Sequence, residues 1–589
     1  MQKPGALSPL DKRWPWMLLA LWLYAGVWLT LQNFGAISAL ALPDPDDNLR
    51  LLQVRDWLDG QSWFDLRQHR LAPAGGADIH WTRLVDLPLA GLIAAFRPWF
   101  GGAIAETVAV AMAPLLTLLV AMALLSAIAR RTIAAEAWFW AAALLLMTAQ
   151  ARSLMSPLRI DHHGWQLALL AAALLGLIAS DRHKGGIIAG AALAVSLGIG
   201  VEMTPLLIVA TAAAVLCWIV DDREAARLRP MVITAGAGGV IALMLLIPPA
   251  DRLAWRCDSL SISFLLPLLG GSAILVIGSL AARTLGQRMA AAAAAILVAA
   301  LPLLGPAGQC LSDPYHEVDR AARALWLGSV VEAAPLYRQP IGSIAVSLFL
   351  PMLGLLGGVL MLARSRGYPE ALRQWILLTS FCAVSLLLLL QQTRALASAE
   401  IIAIPGVAAL CWLGRSWLIA RSEHVAIRAI GTACMFLALS GLIPRLAVAA
   451  SNRPDPAIAQ SRQMPCTSPS AIGALDALPA GAALTFIDTA PAVLAHSNHS
   501  AIAGPYHRNG RPIADVMTAW AADEREARSI LKRYGVRWIF LCAPASEADL
   551  YRTRAPNGLF ATLDDKVHPK WLQRQPLSNT PWRAWKIIA

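Results

Sequence analysis

The amino-acid sequence predicts a multi-pass α-helical membrane protein, with about 13 transmembrane helices and a C-terminal α/β domain on the non-cytoplasmic side. Three observations carry that expectation. Hydrophobic residues make up 57% of the 589-residue chain and charged residues only 15%, against roughly a quarter charged in a soluble protein, and the mean hydropathy is +0.56. The apolar residues gather in runs of the ~20 needed to cross a hydrocarbon core. Lys and Arg concentrate in the short loops between alternate runs, which is the positive-inside pattern.

Apolar runs begin near residues 15, 106, 133, 163, 185, 204, 231, 260, 288, 341, 374, 396 and 429. Lys3, Lys12 and Arg13 precede the first run, and no small-residue cleavage site follows it. The start therefore reads as an uncleaved signal anchor with a cytoplasmic N-terminus, as in a bacterial inner-membrane protein. Basic loops at 130–131, 182–184, 223–229, 283–288, 364–373 and 415–428 then face the cytoplasm. The long segments 39–105, 151–162, 304–340 and everything after about 448 face the other side. Residues 1–450 form the expected membrane domain and 451–589 the expected outer domain, where 482–487 and 536–542 read as buried strands and 523–534 as a helix. A net charge of +12 would suit nucleic acid, but cations placed in loops point to a lipid bilayer and to no nucleic-acid partner. Cys257 with Cys310 and Cys466 with Cys542 lie on the oxidising side; sequence leaves their pairing open.

Ionisable groups are expensive next to hydrocarbon and mark function by default. Asp161, His162 and His163, preceded by Arg159, stand where one apolar run gives way to the next. Asp44, Asp46 and Asp47 follow the first run, and Glu332 sits in a late loop on the same side. Carboxylates with one imidazole suit a divalent metal, Mn²⁺ or Mg²⁺. Asp161 also stands where a helix N-cap is wanted, His162 reads as a packing or supporting histidine, and Glu202 as a helix-end residue. His496, His499 and His507 match no standard zinc spacing.

Four strings resemble the catalytic subunits of oligosaccharyltransferases, within the C-type glycosyltransferase (GT-C) fold. Asp44-Pro45-Asp46-Asp47-Asn48-Leu49-Arg50 is similar to the family's Asp-Pro-x-x-Asn-Tyr-Arg signature, and Asp161-His162-His163 to the Asp-His-His of archaeal members. Ser329-Val330-Val331-Glu332 resembles the Ser-Val-Ser-Glu of a long loop, and Arg394 stands where the family keeps a phosphate-binding arginine. They occur in the family's order, and the resemblance covers about three quarters of the chain. One motif is absent: the tail has no Trp-Trp-Asp-Tyr-Gly, which in the family binds the hydroxyl residue of the Asn-x-Ser/Thr acceptor.

The resemblance implies a glycosyltransferase that moves a sugar or oligosaccharide from a polyprenyl-(pyro)phosphate carrier to a periplasmic acceptor. Asp44, Asp161, His163 and Glu332 would hold the metal, and Asp44, Asp46 and Glu332 would be catalytic, with Asp44 ahead of Asp46 and Asp47. Arg159, Arg394 and His80 would meet the donor phosphates. The acceptor is a glycan, lipid or protein; the missing motif favours a glycan or lipid-linked saccharide, with the turn Tyr506 to Asn509 capping the site. Transfer to protein asparagine is one alternative. A flippase for lipid-linked sugars is another, although the repeated halves and broken helices of such transporters are not evident.

Overall fold

The structure, a computed structural model, describes residues 12–71, 75–313, 315, 318–451, 464–565 and 569–588. Lys3 of the expected signal anchor and the inter-domain segment 452–463 lie outside the described residues. Helix α1 (Trp14–Gln32) is followed by α2 (Pro45–Leu58), which carries the first acidic motif, and by the small antiparallel pair β1 (Arg67–Gln68) and β2 (Ala77–Asp78). The apolar helices then run α3 (Asp86–Phe100), α4 (Gly102–Thr132), α5 (Trp138–Met147), α6 (His163–Ile178), α7 (Arg182–Ile199), α8 (Thr204–Val220) and α9 (Ala225–Leu246). They continue with α10 (Ile262–Ala281), α11 (Leu285–Ala300), α12 (Ile341–Arg364), α13 (Pro369–Leu389), α14 (Leu396–Arg421), α15 (Val425–Leu439) and α16 (Leu442–Ser451).

A helix starts within six residues of each expected run. Among the described residues, eight helices are long and apolar enough to cross a membrane, or nine with the pair α15 and α16, bent by 58°, taken as one. The runs expected at 133, 163 and 204 are shorter apolar helices of 10–17 residues. The bundle is held by close backbone approach. A Cβ on Gly185 or Gly190 of α7 would strike the backbone of α6 or α9, and Gly357 of α12 meets Gly406 of α14 in the same way. Small residues let apolar helices associate where lipid offers no hydrophobic drive. Leu23, Val27, Ile208, Leu216, Ile241 and Leu297 stay exposed on outer faces, as lipid contact allows.

Helix α6 separates two groups of charge. At its C-terminal end Arg227 donates to the carbonyls of Gly176 and Ala179 and pairs with Glu224 at 2.8 Å, beside Arg182 and Arg373. Asp161, His162 and His163 stand at its N-terminal end. Sixteen residues at ~1.5 Å each put about 24 Å between the two groups, so three basic loops meet at one end and the acidic motif at the other.

The tail folds around a five-stranded mixed sheet in the order β4-β3-β5-β7-β6, with β3 (Ala482–Leu484), β4 (Ser500–Ala501), β5 (Trp538–Leu541), β6 (Leu572–Gln575) and β7 (Arg583–Ile587). Strands β4, β3 and β5 are parallel, and β7 is antiparallel to both β5 and β6. The two expected strands are β3 and β5, and the expected helix is Glu524–Arg533, capped by Asp523; the antiparallel edge was not foreseen. Phe486, Trp520, Ile539, Phe560 and Trp585 fill the core on one side of the sheet. Both disulfides, Cys257–Cys310 and Cys466–Cys542, are formed. The tail docks on the segment between α1 and α3. Arg70 donates to the carbonyls of Leu494, Ser497 and His499, Arg55 donates to Ala495 O at 2.6 Å, and Leu71 bridges Ala501.

Candidate metal and active site

The pocket is assembled from three chain reversals at the N-terminal end of α6. Asp44 begins α2: its carboxylate accepts the Asp46 N–H at 3.0 Å, and Pro45 presets the first turn. The cap turns Asp46 and Asp47 toward the 159–163 loop, where Asp47 accepts the Asp161 N–H at 2.9 Å. Arg159 bridges the two segments, with its guanidinium 2.9 Å from Asp44 and 3.4 Å from Asp47. Asp161 then offers one oxygen to each imidazole, Oδ1 to His162 Nδ1 and Oδ2 to His163 Nδ1, both at 2.5 Å.

Buried ion pairs fix this arrangement from behind. Arg50, 1% exposed at its side chain, lies 2.6 Å from Asp86 and 3.4 Å from Asp161, and Arg83 stands 3.6 Å from Asp86. The Arg50 guanidinium also stacks 4.9 Å above Trp81. On the far side His162 Nε2 meets Glu202 at 3.3 Å, so both of its nitrogens face carboxylates. Tyr506 of the tail packs edge-on against Trp81 at 5.5 Å and donates to Pro45 O at 3.3 Å.

The electrostatics of the pocket follow from burial and from crowded charge. Burial, and then the Asp161 charge, push the Asp46 carboxyl well above its ordinary range. Burial raises Asp47 as well, against the pull of Arg159. Burial would also raise Asp161, but His162 and His163 outweigh it and hold this carboxyl low. His162 is pushed up to about 10 against its burial, by Asp161 and Glu202. Asp47 Oδ2 is buried without a hydrogen-bond partner. Crowded carboxylate oxygens beside imidazoles are a donor set for a divalent cation. Asp161, His162 and His163 each offer a ligand atom within 4.8 Å of the others.

Not every residue singled out in the sequence enters that group. Asp44 is engaged as cap and as partner of Arg159, and is not among the three close donors. Glu332 is exposed in a short helical turn, Val331–Ala333. That turn packs beside Arg394: the Thr393 N–H donates to Ala334 O at 2.9 Å, and Arg394 Nε is buried without a partner. Glu332 and Arg394 thus share one wall. His80 is drawn to His507, with ring centroids 4.5 Å apart. Sequence reasoning missed Asp86, although its spacing from Arg83 at the start of an apolar helix was a usable signal, and it ranked Glu202 as a capping or helix-packing residue ahead of a contact with the site.

No family model matches the chain, and no curated protein matches it in sequence. Solved structures do. The apo oligosaccharyltransferase of Archaeoglobus fulgidus aligns with a TM-score of 0.68 at 14% identity, over 96% of this chain and 74% of that one. The archaeal oligosaccharyltransferase AglB of the same organism, in complex with an inhibitory peptide and a dolichol-phosphate, aligns at 0.63 and 15% identity, over 97% and 75%. Its complex with Zn and sulfate aligns at 0.52 and 15% identity, over 96% and 73%. The chain therefore has an oligosaccharyltransferase-like GT-C fold.

Proposed function

We propose that the protein is a membrane glycosyltransferase, moving a sugar or oligosaccharide from a polyprenyl-phosphate or polyprenyl-pyrophosphate carrier to an acceptor on the outer side of the membrane. The observation that carries this reading is the meeting of Asp46, Asp47, Asp161, His163 and Arg159 in one polar pocket at the end of an apolar bundle. The A. fulgidus enzyme of the same fold has been solved with dolichol-phosphate, and with Zn and sulfate; ligands of that kind are what this pocket would take.

Asp46, Asp161 and His163 are the ligands we assign to Mn²⁺ or Mg²⁺, with Asp47 fixing the Asp161 backbone; oxygen-rich ligation with one imidazole favours Mn²⁺. The metal would neutralise charge on the departing phosphate. Arg159 and Arg394 would grip phosphate oxygens through their guanidinium forks, with Glu332 on the Arg394 wall. Asp44, exposed enough to reach solvent, would orient the acceptor and receive its proton. Residues 451–589 would lie outside the membrane, and the Tyr506 turn would bound the acceptor space. Without the family's sequon-binding motif, a glycan or lipid-linked saccharide is the acceptor we favour. The A. fulgidus oligosaccharyltransferase has also been solved tethered to an acceptor peptide containing the NVT sequon, which keeps protein asparagine as the second reading.

The test is turnover of polyprenyl-linked sugars by purified protein before and after metal stripping, with Asp161→Asn as control. Full turnover in both the stripped protein and the variant would overturn the mechanism. Offering a sequon peptide beside its Ser/Thr→Ala version decides the acceptor: selective glycosylation of the intact sequon makes the enzyme an N-oligosaccharyltransferase.

A further inference from the structure

A second group of ligating side chains lies between the tail and the membrane bundle, and it is built from three distant parts of the chain. His80 follows β2. Asp258 sits in the loop between α9 and α10 that the Cys257–Cys310 disulfide ties down. His507 belongs to the tail turn. Each offers one ligand atom, and these atoms all lie within 4.8 Å of one another. His507 Nε2 is 2.6 Å from Asp258 Oδ2, and the His80 ring stands over His507 with its Nδ1 buried and without a hydrogen-bond partner.

The ordinary reading is a hydrogen-bonded His–Asp pair with a histidine packed on it. Two features argue against stopping there. Asp258 does not need His507 for neutralisation, because Arg508 already grips both its oxygens, Nε to Oδ2 at 2.6 Å and Nη2 to Oδ1 at 2.8 Å. That same guanidinium also serves Asp78 at 2.8 Å, so two carboxylates share one guanidinium beside two imidazoles. Meanwhile His80, whose ring offers a ligand atom to this cluster, has its Nδ1 buried with no hydrogen-bond partner. A cation bound by the three donors removes both problems, and the guanidinium fork holds the carboxylate in place as outer partners of metal ligands do.

We infer that His80, Asp258 and His507 form a second divalent-metal site, of the zinc class, that fastens the tail sheet to the membrane bundle over the catalytic pocket. Two imidazoles and one carboxylate are borderline donors that suit Zn²⁺, with a fourth position for water. Tetrahedral ligation at 2.0–2.2 Å wants ligand atoms about 3.3 Å apart, a small adjustment from the present spacing. Binding displaces the proton shared by His507 and Asp258. The site is separate from the Asp161 pocket, and it stands whether or not the proposed transfer reaction does.

The experiment uses the full chain, tag removed, stripped with chelator and dialysed against Zn²⁺, with bound zinc counted by mass spectrometry of the metal. Wild type should hold two equivalents, Asp161→Asn one, His507→Ala one and the double variant none. His507→Cys, which keeps a ligand, should restore the lost equivalent and give a thiolate charge-transfer band with Co²⁺. Zinc should raise the melting midpoint of Asp161→Asn but not of the double variant. Zinc-free Asp161→Asn overturns the inference even if no His507 variant folds, and so does an unchanged zinc count in His507→Ala. Metal-independent transfer together with one zinc on Asp161→Asn would sink the catalytic reading alone.

Discussion

Arg50 and Asp86 hold the back of the pocket, and a double-mutant cycle on them measures how much of the site depends on that support. Their charged atoms are 2.6 Å apart, with both side chains at most 4% exposed. Coulomb's law with charge centres ~4 Å apart and an effective dielectric of ~20 gives about 4 kcal/mol, close to the ~3–5 kcal/mol lost when one member of a buried pair is removed. Arg50→Met should fall at the low end, because Arg83 still stands 3.6 Å from the orphaned Asp86, although the stacking on Trp81 is lost as well. Asp86→Leu leaves Arg50 with Asp161 alone and should draw the guanidinium toward it. The double variant, with no unpaired charge from this pair, should melt above the level expected from adding the two single losses. Melting midpoints in detergent check this, read beside bound Mn²⁺. Single variants that melt like wild type, or strictly additive losses, would refute the claim that these charges are paired in a dry interior. Both singles should also weaken metal binding, since Asp161 loses either its partner or its position.

Other outcomes follow from the same geometry. Glu202→Gln removes the carboxylate behind His162, which itself holds the ligand Asp161, and should cost up to ~10-fold in metal affinity or turnover, measured by Mn²⁺ titration; an unchanged affinity would make Glu202 a packing residue. Arg394→Ala should raise the KM for the lipid-linked donor more than it lowers kcat, read from steady-state kinetics. In the tail, burial and then Asp488 push the Glu547 carboxyl up to about 8. An acid whose folded pKa is raised contributes stability that is present below its unfolded value and lost as pH rises toward 8. The wild-type melting midpoint should therefore fall between pH 5 and 8 more steeply than that of Glu547→Gln. Chelation should abolish transfer, with Mn²⁺ restoring it.

The helices were legible because hydrocarbon imposes long apolar runs, and loop cations mark alternate ends of those runs whatever the rest of the chain does. The tail strands at 482 and 536 were legible in a similar way, as short apolar runs between turn residues. Strands β6 and β7 were not: Gln573 and Arg574 on the edge strand β6, and Lys586 on its inner neighbour β7, break the apolar pattern, and packing decides such strands more than local pattern does. At the site, sequence found the motifs but not their division of labour. Asp44, Asp46 and Asp47 have equal claims on paper. Only the backbone turn at Pro45 makes the first a cap, aims the second at Asp161 and ties the third to its N–H.

The same limit explains the supporting shell. Asp86, Glu202 and Asp258 are single acids at the ends of apolar helices or in loops, and such residues are most often plain helix ends. What distinguishes them is a partner 36, 40 or 250 positions away. A buried charge in this chain is tolerated because another segment brings its counter-charge, so each pair is also a contact between segments. Arg50 with Asp86 binds α2 to α3, His162 with Glu202 binds the α6 and α8 ends, and Arg508 with Asp258 binds the tail to the bundle. The third pair reaches from the tail to the loop before α10. Any acceptor bounded by the tail is thus positioned through the Asp258 cluster, and loosening that cluster should disturb acceptor use while leaving the Asp46, Asp161 and His163 donors intact.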